Sequence, residues 1–465
     1  MAEHDVVVIG AGPGGYVCAI RASQLGKKTA IIDRQWLGGV CLNVGCIPSK
    51  ALLRSAEIAH LLQHGGKDFG FEVQGLKLDF PAAVRRSRQV ADRLVKGVGF
   101  LMKKNKIDVH MGMATFVDAH TVEVSAPNGE KSTLNAKDIV IATGASPMMI
   151  PGVQADGKSV LTYLEAIVQD RLPKSAVVIG ASAIGCEFAT IWSSYGVEVT
   201  LVEMLPRVAP LEDEEVSQEL ARAFAKRGIR VMAGTKVEGI ETGGAGVKVK
   251  VAGPEGAAII EAEQALVAIG VRPNTQGLGL EKIGVKMSAR GWVEINDRMA
   301  TNVPGVWAIG DVTGKLMLAH VASAMGMVAA ENIAGVETVR LDYEAMPRAI
   351  YSQPQVASFG LTEAQAREHG LQVKVGRFPF QANGKALGLG EYAGWVKLVT
   401  EAKHGEILGA HLVGPEVTEL LPELTLARMF ELTSAEIGRN VHAHPTLSEA
   451  LMEAAHAAEG HPIHT

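Results

Sequence analysis

The chain opens with a short apolar run, Val6-Val7-Val8-Ile9, that stops at the glycine cluster Gly10-Ala11-Gly12-Pro13-Gly14-Gly15. Apolar residues then recur at helical spacing up to a glycine at 26, and a second apolar run, Ala30-Ile31-Ile32, ends at Asp33. This pattern predicts strand, tight turn, helix, strand. It returns further along: Ala176-Val177-Val178-Ile179, then the loop Gly180-Ala181-Ser182-Ala183-Ile184-Gly185, a helical stretch, and a run that ends at Glu203. The chain therefore contains an internal βαβ repeat. Strands this uniformly apolar indicate two parallel sheets, each covered on both faces.

Between the repeats, 82–105 carries Arg, Lys, Val and Leu at helical spacing, and 107–140 alternates as short strands with turns, ending at Asp138-Ile139-Val140-Ile141. Pro147 and the pair Pro151-Gly152 mark a boundary. After the second repeat, 228–270 reads as strands broken by glycine. Residues 303–311 read as a buried strand ending in Gly310-Asp311, and a long helix follows near 318–335. From about 345 the alternation is that of antiparallel strands, with helices near 419–431 and 447–457. The fold class expected is α/β: two Rossmann-like dinucleotide-binding domains and a C-terminal α+β domain.

Composition narrows this picture. A length of 465 residues suits about three domains. With 47% hydrophobic and 20% charged residues, large cores are possible and disorder is not expected. A formal net charge of −5 argues against a nucleic-acid partner. No run of 18 apolar residues occurs, so no membrane span is expected. The first residues carry no basic n-region or cleavage site, and a cytoplasmic, reducing setting is the expectation.

Chemistry enters at the loops. Gly10, Gly12 and Gly15 fit G-x-G-x-x-G after a strand and before a helix, the context in which backbone N–H groups and a helix N-terminus receive a pyrophosphate. Asp33 stands where a carboxylate holds ribose hydroxyls. In the second loop Ser182 replaces the middle glycine, which is compatible with a negative φ but narrows the approach to the phosphates. Glu203 occupies the ribose position, and an acid there favours NAD over NADP; the nearest following cation is Arg207. Two such units imply two cofactors, one tightly held flavin and one exchangeable nicotinamide.

The chain has only four cysteines, and Cys41 and Cys46 share one short segment. Cys18 and Cys186 lie on the helices after the glycine loops and read as small apolar packing residues. Without a second pair, a Cys₄ zinc site is excluded, and no metal is expected. Two thiols can bridge when their Cα atoms come within about 7 Å. A distorted first helical turn, with Gly45 for flexibility and Pro48 near its start, would allow that. A helix N-terminus and Lys50 would both favour a thiolate. Of the 14 histidines, His442, His456, His461 and His464 read as surface residues.

The segment Cys41-Leu42-Asn43-Val44-Gly45-Cys46-Ile47-Pro48-Ser49-Lys50 resembles the redox-active segment of the pyridine nucleotide–disulfide oxidoreductases, and most closely that of their dihydrolipoamide-oxidising branch. The resemblance extends along the chain through the first glycine loop, residues 142–145, Gly180 to Glu187, residues 308–311, residues 317–320 and residues 442–449. It implies FAD-binding segments at 1–147 and 275–344, an NAD-binding segment at 148–274 and an interface or dimerisation domain at 345–465. It implies that Cys41 exchanges with the dithiol substrate and that Cys46 faces the flavin. His444 would be the general base, oriented by Glu449, and would reach the disulfide of the other subunit of a homodimer. Lys50 would lie near the flavin and pair with Glu187. The FAD set implied is Gly10, Gly12, Gly14, Gly15, Asp33, Lys50, Thr143, Gly144, Asp311, Met317, Leu318, Ala319 and His320. The NAD set is Gly180, Ile184, Gly185, Glu187, Glu203, Val237 and Gly270. The partners implied are dihydrolipoamide on lipoyl domains and the acyltransferase core of a 2-oxo acid dehydrogenase complex.

Ser182, Val271 and Ala114 depart from the usual pattern. The alternatives are other disulfide reductases, or a flavin NADH oxidase. A glutathione reductase usually carries arginines for the NADP 2′-phosphate, and a mercuric reductase a second cysteine pair near its C-terminus. Neither feature is present. A flavin NADH oxidase would not need both cysteines and the His-Glu pair.

Overall fold

The computed structural model describes residues 2–244 and 246–464. The chain divides into two compact units: 1–51 with 84–148 and 270–343, and 52–83 with 149–269 and 344–465.

The first unit is built on strand β1 (Ala2–Ile9), helix α1 (Pro13–Gln24) and strand β2 (Thr29–Asp33). Val6, Val7 and Val8 are fully buried, as an apolar run covered on both faces must be. Each such side chain contributes about 1.5–3 kcal/mol relative to exposure. Two short helices follow, α2 (Gly39–Val44) and the start of α3 (Cys46–His64), and then α4 (Phe80–Lys104). Strands β3 (Asp108–Met111), β4 (Met113–Asp118), β5 (Thr121–Ser125) and β6 (Lys131–Ile141) complete the main run. The described residues form a seven-stranded sheet in the order β3-β2-β1-β6-β5-β4, with 306–308 also paired to β6. β1 runs parallel to β2 and β6, with Ile9 opposite Ile32 and Ile141, so the glycine loop, Asp33 and Thr143 emerge at one sheet edge.

Helix α1 packs closely on the helix Ala319–Ala334. A methyl on Gly14 would lie 2.9 Å from the Ala322 carbonyl oxygen, and one on Gly326 would lie 2.5 Å from that of Gly14. Arg21 joins the same two helices through Glu331 at 2.7 Å. Cys18 is fully buried in this contact, as its reading as a packing residue requires.

The second unit repeats the plan. Strands 175–179 and 198–202 pair in parallel, with Ile179 opposite Val202, in a five-stranded sheet that ends at 230–232 and 160–161. A three-stranded antiparallel sheet (236–243, 246–253, 256–262) packs its Val247, Val249 and Val251 against Val177, Ile179 and Val202. The C-terminal part is a five-stranded antiparallel sheet in the order 348–350, 355–360, 407–414, 395–401, 373–379. Helices Val417–Met429 and Glu449–Ala458 cover it around Phe359, Phe380, Leu412, Leu424 and Leu451. Within this unit the Lys397 ammonium is buried among three carboxylates, Asp213 at 3.1 Å, Glu215 at 2.7 Å and Glu363 at 3.1 Å. A buried charge needs partners of this kind, and the cluster ties segment 149–269 to segment 344–465.

Candidate active site

In the first unit Gly10 has φ +109, and a methyl there would lie 2.2 Å from the Ala142 carbonyl oxygen. Only glycine can make that turn beside β6. A methyl on Gly15 would lie 1.8 Å from the Gly10 carbonyl oxygen, so this glycine lets α1 close onto the strand. Gly12 differs from both: nothing of the protein lies within 4 Å of its added methyl. Its missing side chain leaves room in front of the α1 N-terminus. Asp33 accepts from the Ala11 N–H at 2.7 Å and from the Gln35 and Trp36 N–H groups at 2.8 and 2.9 Å. The carboxylate thus stitches the loop to the turn that follows β2.

Thr143 and Gly144 follow β6. The Thr143 hydroxyl donates to the Asn274 carbonyl oxygen at 2.8 Å, and the Asn274 side chain donates back to the Thr143 carbonyl at 2.9 Å. Val271 starts the strand 271–273, which pairs with 145–147. Ala114 is buried in the sheet core. Asp311 lies in a 3₁₀ turn (Gly310–Thr313), and burial pushes its carboxyl up to about 6. Among the described residues no group donates a hydrogen bond to that carboxylate. Met317 and Leu318 lead into the helix that starts at Ala319 and His320, whose N-terminus carries positive partial charge.

The cysteines sit on two helices rather than one distorted turn. Cys41 belongs to α2, and Cys46 opens α3. Gly45 breaks the ladder between them, and a methyl on it would lie 3.0 Å from the Val40 carbonyl oxygen and 3.2 Å from the Cys41 Cα. The break folds the Cys41 and Cys46 side chains into hydrogen-bond contact. That contact with Cys46 raises the Cys41 pKa; burial adds to the rise and Lys50 opposes it. Cys18 is also raised, to about 12, by burial alone, which keeps it inert.

In the second unit His444 is exposed, and its Nδ1 meets Glu449 Oε1 at 2.9 Å. The other carboxylate oxygen accepts from the Thr446 N–H at 2.7 Å. Burial would raise the Glu449 pKa, but the Thr446 and His444 hydrogen bonds outweigh it and lower the value. A charged carboxylate therefore holds the Nδ1–H tautomer and leaves Nε2 as a proton acceptor. His442 was expected at the surface, yet its side chain is only 4% exposed. Its Nδ1 lies 2.9 Å from the Asn440 carbonyl oxygen, and its Nε2 lies 3.0 Å from Glu423 Oε1, so an acid on Val417–Met429 anchors the loop that presents His444.

The second glycine loop keeps the backbone of the first. Gly180 has φ +100 and faces the Ala268 carbonyl, and a methyl on Gly185 would lie 1.8 Å from the Gly180 carbonyl oxygen. Ser182 adopts φ −85 and ψ −168, the extended conformation open to any residue, and its side chain is exposed in front of the helix. Glu203 accepts from the Ala181 and Leu205 N–H groups at 2.7 and 2.9 Å. The Arg207 guanidinium donates to the Pro210 and Glu212 carbonyls at 3.3 and 3.4 Å. Ile184 lies on the helix after the loop, where the Glu187 carboxylate accepts from the Tyr351 N–H at 3.1 Å. Val237 lies on the first strand of the three-stranded sheet, whereas Gly270, with φ +119, falls in the first unit.

The family described as pyridine nucleotide-disulphide oxidoreductase matches residues 4–326, and its dimerisation domain matches residues 346–455. The chain belongs to the pyridine nucleotide–disulphide oxidoreductase family. It is 52% identical over 464 residues to a dihydrolipoyl dehydrogenase of Mycobacterium bovis and 50% identical over 469 residues to one of Corynebacterium glutamicum, with all of each chain covered. The crystal structure of LpdA from Mycobacterium tuberculosis is similar at a TM-score of 0.91 and 27% identity, covering 98% of this chain and 99% of that one. No described helix is long and apolar enough to cross a membrane, and no described His, Cys, Asp and Glu cluster could hold a metal.

An oxidoreductase of this family uses FAD and NAD(H), and the residues present fit both. The space before Gly12 admits a pyrophosphate, and the undonated Asp311 carboxylate suits a hydroxyl-bearing chain. The orientation of Arg207 leaves Glu203 as the charge at the ribose position, which suits NAD. Sequence reasoning gave no role to His442, Glu423 and Asn274, whose partners lie on distant segments that no motif spacing joins.

Proposed function

We propose that this oxidoreductase is an NAD-dependent dihydrolipoyl dehydrogenase, with Cys41, Cys46, His444 and Glu449 as its catalytic residues. The observation that carries the reading is the Cys41–Cys46 contact, set where two helices meet beside the first glycine loop, in a chain half identical to dihydrolipoyl dehydrogenases over its full length. The enzyme would act as a homodimer in the cytoplasm, on lipoyl domains carried by the acyltransferase core of a 2-oxo acid dehydrogenase complex. Residues 1–147 and 275–344 would bind FAD, 148–274 NAD, and 345–465 the partner subunit.

In the oxidised enzyme Cys41 and Cys46 share a disulfide. His444 Nε2 takes the proton of one substrate thiol, and the thiolate attacks the Cys41 sulfur. The Cys41–Cys46 bond breaks, a mixed disulfide forms, and Cys46 leaves as a thiolate. The second substrate thiol passes its proton to Cys41 as its sulfur closes the lipoamide disulfide, so Cys41 leaves as a thiol and His444 keeps the first proton. Glu449 stays ionised throughout and stabilises the imidazolium. The hydrogen bond between the two reduced sulfurs lets the pair hold one proton and one negative charge between them. Bound FAD supplies the two-electron relay that restores the disulfide and passes a hydride to NAD⁺.

The test is an assay panel of dihydrolipoamide, glutathione disulfide and Hg²⁺, each with the NAD and NADP couples. Turnover of dihydrolipoamide with NAD⁺ is expected. Protein whose flavin is bleached by NADH but which never turns over lipoamide would overturn the proposal.

A further inference from the structure

The segment from Asp33 to Gly39 meets the first glycine loop at three points. The Gly38 N–H donates to the Ala11 carbonyl at 2.8 Å, and Gly38 takes φ +83 to do so. Asp33 holds Ala11 on one side and Gln35 and Trp36 on the other. The Asn43 side chain donates to the Leu37 and Gly39 carbonyls, both at 2.9 Å, and closes the turn onto α2. Gly39 makes the tightest approach. With φ +59, its missing methyl would lie 2.6 Å from the Gly12 Cα and 3.1 Å from the Gly12 nitrogen. No side chain can occupy that gap without moving Gly12.

Gly39 is also the first residue of α2, the helix that carries Cys41. At the other end of this helix Gly45 lies against Val40 and Cys41. A six-residue helix held at both ends moves as a body. The second copy keeps two of these ties, from the Ala181 N–H to Glu203 at 2.7 Å and from the Ala209 N–H to the Ala181 carbonyl at 2.8 Å, but its next helix starts only at Glu214.

We infer that Gly39, with Asn43, is a positioning residue that makes the flavin-phosphate loop and the redox helix one rigid body, so that widening the Gly39–Gly12 contact loosens FAD and displaces Cys41 together. This inference rests on the proposed function, in which the Gly12 loop holds FAD and Cys41 meets the substrate. Gly12 supplies the contrast: a methyl there touches no protein atom, so it can crowd only the ligand.

The experiment uses the full-length holoenzyme and two readouts besides turnover. One is the rate of FAD release, followed by flavin fluorescence. The other is the rate of Cys41 alkylation by iodoacetamide after NADH reduction, at saturating FAD. Gly39→Ala is expected to raise both rates, each by about tenfold. Asn43→Ala is expected to raise both by about threefold, and it reads the same coupling if Gly39→Ala does not fold. Gly12→Ala is expected to speed FAD release and leave alkylation within about twofold of the parent. The inference is overturned if Gly39→Ala and Asn43→Ala behave like Gly12→Ala, or if neither rate moves in them. A parent protein that carries no flavin, or shows no NADH-dependent alkylation, overturns the proposed function instead.

Discussion

Gly10 and Gly180 open two loops with the same backbone and different fronts. Both take φ near +100, both lie against a carbonyl of a neighbouring strand, and both are closed by a glycine whose methyl would strike them at 1.8 Å. Both loops are tied at the next residue to an acid at the end of the following strand. They part at the middle position, bare at Gly12 and filled at Ser182. They part again after the acid, where the first unit places Gly39 and the cysteine helix directly on its loop. The common features are demands of the strand–helix turn. Under the proposed function, the differences separate a cofactor held for chemistry from one that comes and goes.

The comparison can be broken at its largest difference first. Serine at Cys41 or Cys46 should lower dihydrolipoamide turnover at least about 10³-fold, while the bound flavin keeps its visible spectrum. A variant that retained turnover would remove the redox helix from the account. His444→Gln should cost about 10²–10⁴-fold in kcat, read by steady-state assay across pH. Exchanging the middle residues then tests the loops themselves. Gly12→Ser should fold normally, because no protein atom is near, yet weaken FAD binding about 10–100-fold in a fluorescence titration. Ser182→Gly should act in the opposite sense and lower the KM for NADH about 2–5-fold. The smallest effect concerns Asp311, whose folded pKa of about 6 lies above its ordinary 3.8. An acid raised in this way destabilises the fold at neutral pH, and the penalty fades as pH falls through 6 towards 3.8. In flavin-stripped protein, Asp311→Asn should raise Tm at pH 7 and lose that advantage below pH 4.

The repeat, the loop glycines and the two acids were legible because they act over a few neighbouring residues in fixed periods. Ser182 was legible to the same depth: a negative φ was required, and φ −85 is what the loop adopts. The cysteine segment was legible as a redox pair, but one distorted turn was expected where two helices meet at Gly45. That break depends on how closely Val40 and Cys41 approach, a distance that spacing does not encode. His442 looked like a surface histidine because its partner, Glu423, lies on a helix 19 residues earlier in the chain. Arg207 was legible only as the next cation after Glu203, and the structure adds that its guanidinium donates to the Pro210 and Glu212 carbonyls.

The amino-acid sequence by itself determined the two nucleotide-binding units, the pair of cysteines and the family to which they point. These follow from strand and helix periods and from glycines that local backbone geometry requires. The tertiary structure alone decided which distant residues touch: Gly39 against Gly12, Thr143 against Asn274 and His442 against Glu423. Each is a contact between separate segments, made at van der Waals or hydrogen-bond range. Such contacts exist only once the chain has packed, since the energy that selects them comes from burial and pairing across the fold rather than from the residues beside them.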